Sequence, residues 1–209
     1  MIYNPKQIKI GNISTSEIEL KDLLKAWIAV SAAFAIALTG PVFSSGLYTK
    51  FVIASLTVGV GFLLHEMGHK IMAQKYGCFA EFRSFDSMLI LAIAMSFFGF
   101  IFAAPGAVMI SGRVNAEKSG KISAAGPVVN LALASLFLAA LFIQMPKFFH
   151  DIASYGFLIN TWLALFNMLP FWLFDGRKII KWNKIAYGLI AAAALGFMLI
   201  QNFLIKLPA

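Results

Sequence analysis

The chain has 209 residues, 60% of them hydrophobic and 12% charged, and its mean hydropathy is +0.83. Soluble domains carry about 25% charged and about 45–50% apolar residues, so this balance excludes a water-soluble globular protein and points to a polytopic membrane protein of one domain. The formal net charge is +8, but the Lys and Arg residues lie in short flanks between apolar runs, which is the positive-inside pattern and argues against nucleic acid as a partner. The single cysteine, Cys78, can form neither an internal disulfide nor a cysteine-based zinc site. Residues 1–25 read as a polar N-terminal segment, cytosolic or interfacial, without the layout of a cleavable signal peptide.

A helix needs roughly 20 apolar residues to cross a bilayer. In chain order the apolar runs are 26–43, broken by Gly40-Pro41, then 51–76 and 87–104. After these come 122–145, followed by Pro146, Lys147 and His150, then 155–174, which ends at Asp175-Gly176-Arg177, and finally 185–205. Basic residues cluster at Lys6, Lys9, Lys21 and Lys25, at Lys70, Lys75 and Arg83, at Arg113, Lys118 and Lys121, and at Arg177, Lys178, Lys181 and Lys184. The opposite connections carry only Lys50 and Lys147, so all four clusters are expected on the cytoplasmic side. A full crossing by 87–104 would separate Arg83 from Arg113. Gly99 and Pro105-Gly106 favour a broken backbone there, hence a re-entrant segment or an extended return over a simple additional span. Residues 107–114, with Gly112 inside, suit a strand or hairpin arm. The expected fold is an all-α polytopic membrane protein. It has five or six transmembrane helices and a re-entrant or short β-hairpin segment after the second run.

That second run contains His65-Glu66-Met67-Gly68-His69 in an otherwise apolar stretch. Residues four apart share a helix face, so both imidazoles can reach one cation, while Glu66 can serve a water as general base. Ionisable groups within a membrane run mark functional sites. Catalytic zinc takes three protein ligands and leaves a position for water. The chain has only three His and nine acidic residues. Glu17, Glu19 and Asp22 belong to the polar N-terminal segment; Glu81, Asp86 and Glu117 fall in flanking loops; His150 and Asp151 fall on the far side. Asp175, at the end of an apolar run and on the cytoplasmic side, is the third ligand by elimination and position, with Pro170 able to kink its run toward the site.

At this point the chain resembles the site-2 protease family of intramembrane zinc metalloproteases. The matching residues are His65 to His69, then Gly126-Pro127-Val128-Val129-Asn130, then Asn167-Met168-Leu169-Pro170 leading to Phe174-Asp175-Gly176. The likeness covers roughly residues 51–181, a catalytic core in a single peptidase domain spanning 1–209, with no room for a PDZ-like or nucleotide-sensing domain. Phe174 replaces the family's leucine, and the 87–104 run sits where compact members have a short loop. The resemblance implies one Zn²⁺ bound by His65, His69 and Asp175, water activation by Glu66, and contact of Asn167 with the substrate backbone or the oxyanion. Gly126-Pro127 is also consistent with a simple helix start, and Asn130 with a polar contact between helices.

The expected activity is hydrolysis of peptide bonds in or near transmembrane segments of membrane-protein substrates. The expected location is the cell membrane, with the active site toward the cytoplasm. The substrate helix must unwind first, and a strand edge within residues 87–114 could capture it. A divalent-metal transporter would need more intramembrane polar groups than this one cluster. An inactive scaffold would have no use for Glu66 beside three ligands, and no residue favours a lipid hydrolase. His150 reads as a solvated histidine.

Overall fold

The computed structural model describes residues 7–11, 13–39, 46–101 and 105–204. The expectations at Lys6, Gly40-Pro41, Phe43, Ala104 and Ile205 lie outside the described residues. The chain divides into two compact units: residues 1–55 with 70–113, and residues 56–69 with 114–209. Four helices are long and apolar enough to cross a membrane among the described residues: Glu17–Thr39, Leu47–Lys75, Ala116–Ala140 and Lys184–Gln201. With this composition, the chain is a membrane protein.

In the first unit, β1 (Gln7–Ile10) and β2 (Ile13–Ser16) pair antiparallel and lead into α1 (Glu17–Thr39). The helix begins well inside the segment expected to be a polar preamble. The reason is a cap: Ser16 Oγ accepts the Glu19 amide at 3.2 Å, a Ser-x-x-Glu start. Glu19 is fully buried; Thr15 Oγ1 donates to it at 2.7 Å, the Phe82 amide at 2.9 Å, and Lys70 pairs with it. Lys70 is therefore not a surface charge of the basic flank, because a buried ammonium needs such a partner. Below this polar end, α1 buries a face of small residues, Ala26, Ala29, Val30 and Ala33, which lets α2 (Leu47–Ala54) and α4 (Asp86–Ser96) approach closely.

Strand β3 (Phe79–Ser84) pairs antiparallel with β4 (Gly106–Ser111), from Phe79 opposite Ser111 to Ser84 opposite Gly106. Three flanking-loop assignments are corrected here. Glu81 is a buried strand residue paired with Arg83, Asp86 opens α4, and Glu117 lies in the first turn of the helix Ala116–Ala140. The α4 helix has 11 residues, about 16 Å at 1.5 Å each, roughly half a hydrocarbon core. It gives way to turns at 97–99, with Gly99 at φ +81°.

A π-helical turn (Ser55–Gly59) continues α2 into α3 (Val60–Lys75), and the second unit takes residues 56–69 of this run. It is followed by α5 (Ala116–Ala140), α6 (Lys147–Asn167), α7 (Asp175–Trp182) and α8 (Lys184–Leu204). Helix α5 is central and touches α6, α7 and α8. Its buried residues Ser123, Gly126, Pro127, Asn130 and Ala134 recur at helical spacing on one face. Gly126-Pro127 is not a helix start: the helix begins after Asn115, whose side chain accepts the Lys118 amide at 2.8 Å. The run expected at 155–174 is helical only to Asn167, having begun at Lys147, and 168–174 turns back before α7.

Candidate metal centre

Every member of the site belongs to the second unit. His65 and His69 lie one turn apart on α3, their rings edge-on at 89° with centroids 4.6 Å apart. Their Nε2 atoms are separated by 3.0 Å. Asp175, the first residue of α7, places Oδ2 at 3.1 Å from His69 Nε2 and 3.5 Å from His65 Nε2. All three side chains are buried. Three zinc ligands at about 2.0–2.2 Å in tetrahedral array lie roughly 3.3 Å from one another, so the spacing fits zinc.

The donor chemistry fits as well. His69 Nδ1 faces the Ile122 carbonyl at 2.8 Å, and a carbonyl only accepts, so Nδ1 carries the hydrogen and Nε2 presents a lone pair. His65 Nδ1 faces Asn130 Oδ1 at 2.6 Å, with the same consequence. Two lone pairs and a carboxylate converging in a buried place need a cation or a shared proton between them, and a metal ion meets all three at once. Each imidazole is thereby oriented by a partner on its far nitrogen, the arrangement that metal-bound histidines have. One face of α5, over about two turns from Ile122 to Asn130, supplies the support. Pro127 withholds the amide that would pair with the Ser123 carbonyl, next along the helix from the Ile122 carbonyl that accepts from His69.

Two glycines permit the approach. A Cβ on Gly126 would lie 2.5 Å from His65 Nε2 and 2.6 Å from His69 Cε1. At Gly176 it would strike the backbone of Met168, so the end of α6 sits directly against the turn that carries Asp175.

Of the residues singled out from the sequence, His65, His69 and Asp175 meet in one cluster. Glu66 is buried beside them on α3. Asn167, the last residue of α6, is half-buried and donates from Nδ2 to the Leu163 carbonyl at 2.8 Å, back along its own helix. His150 is exposed on the first turn of α6, with Ser154 Oγ at 3.4 Å. Asn130 is a polar contact between helices and also a partner of His65. Asn160 went unread. It is fully buried in α6 and bound to Asn130, and the signal for it was an amide inside an apolar run, which needs a partner there.

The chain is 39% identical over 191 residues to "Putative zinc metalloprotease MJ0611" of Methanocaldococcus jannaschii, covering 90% of this chain and 96% of that protein. It is 27% identical over 129 residues to "Zinc metalloprotease MJ0392" of the same organism, of which it covers 31%. Over 124 residues it is 26% identical to "Putative zinc metalloprotease Rip3" of Mycobacterium tuberculosis, covering 28% of that protein. No protein-family model and no solved structure matches the chain.

Proposed function

Because the chain belongs to the site-2 protease family of zinc metalloproteases, we propose that it hydrolyses peptide bonds in or beside transmembrane segments of membrane proteins. The observation that carries this reading is the His65–His69–Asp175 cluster, two of whose members lie on a 29-residue apolar helix able to cross a bilayer. These three residues hold the metal. When bound, zinc polarises the scissile carbonyl and acidifies water. Glu66 takes a proton from the attacking water and delivers it to the leaving amine. Asn167 turns its carboxamide from the Leu163 carbonyl toward the substrate backbone or the oxyanion, where a fixed donor lowers the barrier.

The chain crosses the cell membrane several times, with α6 and α8 among its crossings and α4 entering without crossing. The basic residues that follow Asp175 at 177, 178, 181 and 184 support a site toward the cytoplasm by the positive-inside rule. Among the described residues β4 pairs with β3 alone, and its other edge offers backbone groups to an extended substrate. The test is hydrolysis of a reconstituted transmembrane substrate by wild type and Glu66→Gln. Cleavage by wild type alone, with equal zinc content in both, supports the reading. Equal cleavage by both overturns it.

A further inference from the structure

The ligand His65 is the end of a chain of buried amides that reaches α6. We propose that Asn160 is a positioning residue for the metal centre, acting through Asn130 to hold His65 in the tautomer that can ligate; this rests on the zinc reading above. Asn130 Nδ2 donates to the Gly61 carbonyl at 3.1 Å and to Asn160 Oδ1 at 3.0 Å. Both of its amide hydrogens are thus committed, and Oδ1 is the end that meets His65 Nδ1 at 2.6 Å. An oxygen accepts only, so the ring hydrogen is fixed on Nδ1 and the lone pair on Nε2.

Asn160 is itself held in place. Its Nδ2 donates to the Gly156 carbonyl at 2.9 Å, one turn back along α6. Both asparagines are fully buried. Gly61 makes the room, since a Cβ there would lie 2.5 Å from Asn160 Oδ1. Without Asn160, one of the two acceptors that distinguish the ends of the Asn130 carboxamide is gone. A flipped carboxamide presents N–H to His65 Nδ1. The ring hydrogen then moves to Nε2, the ligand atom. A polar contact that only glued helices together would have no such link to metal affinity.

The experiment is zinc affinity of the full chain in detergent, read by competition with a chromophoric chelator, for wild type, Asn160→Leu, Asn130→Leu and the double variant. Outer partners of ligand histidines are worth about 10–100-fold in metal affinity. Asn160→Leu is expected to weaken zinc binding by at least the lower figure, with helical circular dichroism retained. In the Asn130→Leu background the same change is expected to cost less than about twofold, because its route to His65 is already cut. Should leucine prevent folding, Asn160→Ser, too short to reach Asn130, carries the same comparison. Unchanged affinity, or the same loss with and without Asn130, overturns the proposal. A wild type that takes up no zinc overturns it together with the reading beneath it.

Discussion

Replacing Gly126 with alanine adds one methyl group and separates metal affinity from fold stability. The new Cβ would lie 2.5 Å from His65 Nε2, 0.9 Å inside the 3.4 Å at which ordinary contact begins, and 2.6 Å from both Cε1 atoms. Neither ring can swing away cheaply, because His65 is held by Asn130 and His69 by the Ile122 carbonyl. A shift near 1 Å is about half of a zinc–nitrogen bond of roughly 2.0–2.1 Å, so at least one ligand is lost from the array. Zinc affinity should fall 100-fold or more, about 2.7 kcal/mol. The substitution otherwise favours folding, since alanine is better than glycine in a helix interior by about 1 kcal/mol. Chelator competition gives the affinity, and thermal loss of helical circular dichroism in the presence of chelator gives the stability of the metal-free protein. Loss of zinc with an unchanged or raised metal-free midpoint is the expected pair. A Gly126→Ala protein that binds zinc as tightly as wild type refutes the ring packing described for α3 and α5.

Asp175→Ala should abolish stoichiometric zinc in metal analysis while leaving the helical spectrum intact. Asn167→Ala is expected to reduce cleavage about 100-fold with zinc content unchanged, since a single oxyanion donor is worth about that much; a change confined to zinc content would remove Asn167 from the reaction. Lys70→Met leaves the buried Glu19 carboxylate without its cation, which should destabilise the first unit by about 3–5 kcal/mol in a denaturant titration, with Glu19→Leu/Lys70→Met recovering most of it. Gly112→Pro, just past β4, should slow cleavage and spare zinc if substrate adds to that edge; unchanged rates exclude edge capture.

The three members of the cluster were legible because their pattern is local or scarce. His65 and His69 follow from helix periodicity, and Asp175 from the shortage of acidic residues in an apolar chain. Residues whose role depends on a distant partner were not. Asn160 has no spacing relation to Asn130, and only the packing of α5 against α6 joins them. The α1 start at Glu17 was written in Ser16 and Glu19, but charges at 17, 19, 21, 22 and 25 mask an amphipathic end whose Glu19 is neutralised by Lys70 from another element. Strand β3 hid for the same reason, since Glu81 and Arg83 read as loop charges until their pairing allows Glu81 to be buried. A helix start at Gly126-Pro127 stayed open beside the 122–145 run because proline suits a first turn, whereas the helix begins ten residues earlier at Ala116.

The most direct measurement is mass spectrometry of products formed when zinc-loaded wild type and Glu66→Gln are co-reconstituted in liposomes with a panel of single-span substrates. The account predicts a discrete cut within or beside the apolar segment for wild type and none for Glu66→Gln at equal zinc occupancy. Cuts confined to soluble loops, or the same products from both proteins, would contradict it.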